Sequence, residues 1–320
     1  MIVAFLDLLG FSSLLKENEE TALDNLNAVN DAIRTRITDR RVVCSPSTSD
    51  SGGDSNAEKW ALTSFNQMIS FSDSLVLGGD DANAFVSHLA NFVAYMYIKR
   101  SEPFRKPIYN INNITTNQNV DVLGHGFFRC HQAAPIFFRG GVSVGDQIRF
   151  FDGHNIKDSE VSQSRNVTGN TYLNAVKLEK SGKGPRLFCD HSVVDALSDK
   201  SVKDMIKRVK GETEIFEIVW TMEGCSEGCS IQGNRVEEWK NVCESINTTM
   251  LPPAINLYRY YQGDGDLKEQ YEELLKLVCC GIVKYADIKC NRANDAIDLI
   301  NQKLQNIWTI DIWILNNFLN

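Results

Sequence analysis

Met1–Leu15 reads MIVAFLDLLGFSSLL: an apolar run, then Asp7, then Gly10–Phe11, then residues that begin a helix. Ile2, Val3 and Phe5 favour a strand whose burial holds Asp7 at its end. A carboxylate in so apolar a setting is costly unless it is paired or metal-bound. Gly10 lets the backbone approach a ligand closely, and the free N–H groups of the next helix suit an anion. Alone, Asp7 reads equally well as a helix cap, so the question is where a partner carboxylate lies.

Met68–Leu77, MISFSDSLVL, supplies one. Apolar residues flank Ser72–Asp73–Ser74, the pattern of two strands meeting at a tight turn with Asp73 at the tip. Two carboxylates brought together repel unless a cation lies between them. Hard oxygen donors of this kind suit Mg²⁺ or Mn²⁺ bound together with substrate phosphates. By itself Asp73 is an ordinary turn residue.

The 320-residue chain is long enough for a full core, in one large domain or two smaller ones. Its 43% hydrophobic and 23% charged content describes a globular protein. A net charge of −8 leaves no basic surplus for a general nucleic-acid binder, though a metal can carry a nucleotide's charge. No apolar run reaches the length of a membrane span, and no basic n-region precedes the first apolar stretch, so a cytoplasmic protein is expected. Nine cysteines make no disulfide framework, and the five histidines make no zinc-binding spacing.

Leu14 to about Ile37 has helical periodicity, and Cys44–Asn56 reads as an exposed loop. Asp81–Arg100 is a second helix and Asn110–Asn119 a loop over the site. Phe137–Gly145 is a glycine-bearing strand that passes close to another element. A further strand is expected over Ile148–Phe151, turning at Asp152–Gly153. Asn170 or Thr171 then caps a helix through Glu179. Short elements follow to Trp220, Glu223–Gly233 reads as loop, and Val236–Ser245, Pro253–Gln262, Leu267–Tyr285 and Asn294–Leu304 read as helices before an Ile/Trp-rich tail, Ile307–Leu319. The expected organisation is a strand-containing catalytic domain, 1–222, and a mainly helical extension, 223–320. Its class is α+β: a ferredoxin-like sheet with helices packed on one side.

Four stretches together resemble the catalytic domain of class III nucleotidyl cyclases. They are Phe5-Leu-Asp7-Leu-Leu-Gly10-Phe11, Phe71-Ser-Asp73-Ser, Arg139-Gly-Gly-Val-Ser-Val-Gly145, and the run from Gly169 with Ala175, Lys177 and Glu179. The resemblance covers the first half of the chain. It implies that Asp7 and Asp73, with the carbonyl of Leu8, hold two Mg²⁺ or Mn²⁺ ions. Gly10 and Phe11 would meet the terminal phosphates. Purine-cyclising members carry a Lys where this chain has Ile69 and an Asp where it has Asn166, and an apolar residue plus an amide cannot present the same base-reading pattern. The chain is therefore most similar to bacterial antiphage pyrimidine (Pycsar-type) cyclases.

That similarity implies a uridylate cyclase making cyclic UMP from UTP. The alternatives are a cytidylate cyclase making cyclic CMP, or an inactive nucleotide-binding scaffold. It also implies a homodimer with sites between subunits, and an effector reached through the cyclic nucleotide. The family's transition-state Asn falls at Leu173, so Asn170 or Asn174 would stand in for it, and its Arg falls at Lys177, which keeps a cation near the α-phosphate. Arg139 would contribute to substrate binding, unless it pairs with a nearby carboxylate. A Gly-Gly-Asp/Glu-Glu-Phe signature is missing, since Gly78-Gly79-Asp80-Asp81 lacks the Glu-Phe, which argues against a diguanylate cyclase.

Overall fold

A computed structural model describes residues 1–33, 64–109, 115–122, 125–132, 135, 137–146, 148–157, 160–209, 211–212, 214–226 and 235–304. Its centre is β1 (Ile2–Leu8), whose alternate side chains serve two different faces. β1 pairs antiparallel with β3 (Ser74–Gly79) on one side and β6 (Phe138–Val144) on the other. β2 (Gln67–Phe71) completes the hairpin with β3. The sheet extends from β6 through β9 (Leu187–Asp190) and β11 (Ile215–Ile218) to β10 (Ile206–Arg208), giving the order β10-β11-β9-β6-β1-β3-β2. Only β6 and β9 run parallel in this sheet. Two separate hairpins stand beside it: β4 (Thr115–Val122) with β5 (His125–Gln132), and β7 (Arg149–Lys157) with β8 (Glu160–Thr168).

The expected helices on one side are instead helices on both. Ile2, Ala4, Leu6 and Leu8 point into the main core, where α3 (Ala82–Ser101) packs with Phe85, Leu89 and Phe92. Asp81 starts that helix, its carboxylate accepting a hydrogen bond from the Ala84 N–H at 3.0 Å. Val3, Phe5 and Asp7 lie on the opposite face, which is partly covered by α4 (Asn170–Glu179). Gly141, paired with Phe5, makes that cover possible: a Cβ there would run into the Ala175 carbonyl and the Glu179 backbone nitrogen.

The first predicted helix is two, α1 (Phe11–Glu17) and α2 (Glu19–Ile33), because Asn18 takes an extended conformation between them. Thr115–Asn119 is strand, since pairing with β5 satisfies its backbone despite the Asn-rich sequence. Asp152–Gly153 does not turn the chain: both residues sit mid-strand in β7, opposite Arg165 and Ser164. The short helices α5 (His191–Ala196) and α6 (Lys200–Lys203) follow β9. Cys225 belongs to α7 (Thr221–Ser226) rather than to a loop, and is buried. Cys44–Asn56, residues 227–233 of the expected Glu223–Gly233 loop, and Ile307–Leu319 lie outside the described residues.

The C-terminal helices are α8 (Arg235–Glu244), α9 (Leu251–Tyr260), α10 (Gly265–Tyr285) and α11 (Ala293–Leu304). Their apolar faces join the same hydrophobic cluster as the sheet, with Leu257 and Val278 fully buried alongside Leu6. Buried hydrogen bonds tie the two parts: Tyr97 Oη donates to the Met250 carbonyl at 2.7 Å, and Thr221 Oγ1 to the Leu277 carbonyl at 2.8 Å. Arg186 bridges Glu217 on β11, at 2.6 and 2.8 Å, and Glu273 on α10, at 3.1 Å. No described helix is long and apolar enough to cross a membrane.

Candidate functional site

Strand pairing sets Asp7 opposite Ser74 on β3 and opposite Arg139 on β6. The β2–β3 turn folds back over the end of β1, where the Leu8 N–H donates to the Asp73 carbonyl at 3.0 Å. Ser72 enters that turn at φ 53°, a left-handed conformation that a non-glycine residue adopts at some cost. The two carboxylates that the sequence places 66 positions apart are thereby neighbours, as 73 minus 7 gives that spacing. Ser74 Oγ donates to Asp7 Oδ1 across 3.4 Å.

A third carboxylate joins them. Glu179, at the end of α4, is buried and accepts a hydrogen bond from Arg139 Nε. Arg139 Nη2 also reaches within 3.8 Å of Asp7 Oδ2. One guanidinium thus faces both Asp7 and Glu179, while Asp73 adds its charge to that felt by Asp7. The imbalance registers on Asp7, whose pKa is raised to about 6: burial contributes most, then the charges of Asp73 and Glu179, against the opposing pull of Arg139 and Ser74.

An excess of negative charge at the mouth of a strand is a place for a cation. Among the described residues no group of three or more His, Cys, Asp or Glu side chains is arranged to hold a metal. The donor chemistry still fits Mg²⁺ or Mn²⁺, which take hard oxygens and commonly use one or two protein carboxylates, completing their shells with water and phosphate oxygens. Asp7 and Asp73 are the acids at hand that could serve so, with the Leu8 backbone carbonyl beside them, the Leu8 N–H being already committed.

The remaining predicted residues are placed as follows. Gly10 is exposed and turns the chain at φ 80° into α1, while the Phe11 side chain is buried in the main core, which leaves only its backbone for a ligand. Ile69 is buried against Val3 and Val76 on the Asp7 face. Asn166 is exposed on β8 opposite Phe151, in a strand and not in a turn. Gly169 caps α4 without a side-chain hydrogen bond, in place of the expected Asn170 or Thr171. Asn170, Leu173, Asn174 and Lys177 are exposed, on the side of α4 turned away from the sheet that Ala175 and Glu179 face. A single chain therefore gathers Asp7, Asp73, Arg139 and Glu179, and displays Lys177, Asn170 and Asn174 outward. Glu179 as partner of Arg139 was not singled out from the sequence; a glutamate closing the helix that crosses β6 was the available signal.

No protein-family model matches the chain, and no curated protein matches it in sequence. Solved structures do. The adenylyl cyclase CyaB from P. aeruginosa is 18% identical, over 68% of this chain and 92% of that one, with a TM-score of 0.37. The guanylyl cyclase Cya2 is 16% identical, over 68% of this chain and 90% of that one, with a TM-score of 0.36. An adenylate cyclase from Trypanosoma brucei in its monomeric state is 12% identical, over 68% and 89%, with a TM-score of 0.37. Overlaps of this size assign no substrate, and the functional reading rests on the site.

Proposed function

We propose that the protein is a metal-dependent pyrimidine nucleotide cyclase that converts UTP to 3′,5′-cyclic UMP and pyrophosphate. The observation that carries this reading is the crowding of Asp73 and Glu179 against Asp7, with a single guanidinium to oppose them. In the reaction the ribose 3′-oxygen attacks the α-phosphorus, and the bond to the β-phosphate oxygen breaks. Bound Mg²⁺ or Mn²⁺ would lower the pKa of the attacking hydroxyl and neutralise the triphosphate. Asp7, Asp73 and the Leu8 carbonyl hold the ions. Arg139, anchored by Glu179, orients the Asp7 carboxylate and limits its repulsion from its neighbours. The backbone at Gly10–Phe11 lies where terminal phosphates would be cradled.

Lys177, with Asn170 or Asn174, acts on the α-phosphate of a partner's site, which is why these groups face outward from their own chain. The exposed Leu173 between them gives that helix face an apolar contact, so the working form is a homodimer with sites between subunits. Ile69 walls the base site and Asn166 reaches towards it. The strand-bearing part, 1–222, carries the chemistry and the helices of 223–320 brace it. The product is a cytoplasmic antiphage messenger read by a separate effector.

Incubation with each of the four nucleoside triphosphates and Mn²⁺, followed by identification of the product, tests this. Cyclic UMP from UTP is expected, and Asp7→Ala or Asp73→Ala abolishes it while the circular dichroism spectrum stays unchanged. Cyclic CMP alone would make the protein a cytidylate cyclase. No cyclic product from any triphosphate, or undiminished turnover in both variants, would overturn the reading.

A further inference from the structure

The Asp7 face of the sheet carries side chains in rows across the strands. Arg139, Asp7, Ser74 and Phe71 make one row, and Phe5, Val76 and Ile69 the next. The third row is Val3, Gly78 and Gln67. Beside it lies a cavity of about 570 Å³ lined by Met1, Gln67, Ile148, Arg149, Phe150 and Thr168. Nothing in the metal chemistry uses this cavity.

Its construction suits a flat heteroaromatic ring. Gly78 leaves room for Phe150 to lie on the sheet: a Cβ there would come within 2.8 Å of the Phe150 ring. Ile148 and Phe150 belong to the apolar patch around Val3 and Ile69, so one wall is a ring and its surround is apolar. Gln67 brings an amide that both donates and accepts, and Arg149 a guanidinium that only donates. Strand geometry puts Gly78 roughly 13 Å from Ser74, four residues along β3, so a nucleoside whose base lies here points its phosphates along the face towards the acids.

We infer that this cavity is the base site, with Phe150 as stacking wall and Gln67 and Arg149 as the residues that choose uracil. The inference rests on the cyclase reading for the purpose of the site, though not for its existence. Uracil presents a carbonyl on each side of its N3–H. The Gln67 amide takes the N3–H and one carbonyl, and Arg149 donates to the other. Cytosine replaces one carbonyl with an amino group, which has nothing to gain from a guanidinium. Arg149→Glu removes that donor and sets acceptors in its place, which suit the cytosine amino group and repel a uracil carbonyl.

The test is calorimetric binding of uridine, cytidine, adenosine and guanosine, without phosphates or metal, to the full chain. Uridine is expected to bind most tightly. Arg149→Glu, at an exposed position, should reverse the order of uridine and cytidine, and Gln67→Leu, which loses the partner of the N3–H, should weaken uridine roughly tenfold. Equal effects of both variants on all four nucleosides, or none on any, would overturn the inference. So would a wild type that binds no nucleoside. If UTP is still cyclised in that event, the base site lies elsewhere and the cyclase reading stands. If nucleoside binding follows Gln67 and Arg149 but no triphosphate is cyclised, the cyclase reading alone has failed.

Discussion

The molecule handles buried charge in two ways, and the contrast between Arg186 and Asp7 separates architecture from chemistry. Burial opposes the charge of Arg186, but hydrogen bonds and attraction from Glu217 and Glu273 outweigh it and raise its pKa. Every charge in that joint has an opposite beside it, so the joint has nothing left to bind. At Asp7 burial also opposes the charge, yet two of the three nearest ionisable groups add to the opposition. Satisfied ion pairs fasten the sheet to α10; Asp7, at the end of β1, is ionised against both burial and its acidic neighbours.

The comparison makes the Arg186 joint the place of largest loss. Glu217→Ala leaves a buried guanidinium short of its principal partner and should lower unfolding free energy by about 3–5 kcal/mol. Urea denaturation of the two proteins measures it; a change below about 1 kcal/mol, the size of an exposed pair, would remove the distinction. Gly141→Ala should come next. Its new Cβ meets α4 backbone, not a flexible side-chain end, and overpacking of that kind costs about 1–3 kcal/mol. Because α4 carries Glu179, the same variant should disturb the Arg139–Glu179 pair, so metal-dependent turnover should drop with stability. A fall in stability alone would show that the helix position does not matter to the acids.

The smallest effect has the opposite sign. Asp7 holds its proton more tightly when folded, with its pKa moved from 3.8 to about 6. Well below pH 3.8 both folded and unfolded forms are protonated, and the group costs nothing. Stability drains away as pH rises through the interval between those values, and above it the full penalty stands. Asp7→Asn cannot ionise, so in metal-free buffer it should stabilise the protein by roughly 1 kcal/mol at pH 7.5, allowing for screening on its solvent side. At pH 2.5 it should do nothing. Equal stabilisation at both values would attribute the effect to packing.

The sequence exposes these two regions unequally. Asp73 is legible because apolar strand residues flank a Ser-Asp-Ser turn, and a short hairpin fixes its own pairing. α3 is legible because Asp81 caps a long periodic run. The Arg186 joint is not: its partners lie 31 and 87 residues away, and no local pattern marks a long-range ion pair. β4 was hidden by its Asn-rich sequence, and the second half of β7 by an Asp-Gly pair that usually turns a chain but is held straight here by β8.

The hairpins β4–β5 and β7–β8 make their ladder bonds only with themselves, outside the seven-stranded sheet. Lengthening such an outgrowth costs little, since doubling a flexible loop adds only about 0.6 kcal/mol of closure entropy. Both are therefore free to diverge while the seven-stranded sheet stays fixed, and β7, which supplies Arg149 and Phe150, is where this architecture can acquire a new molecular preference without rebuilding its frame.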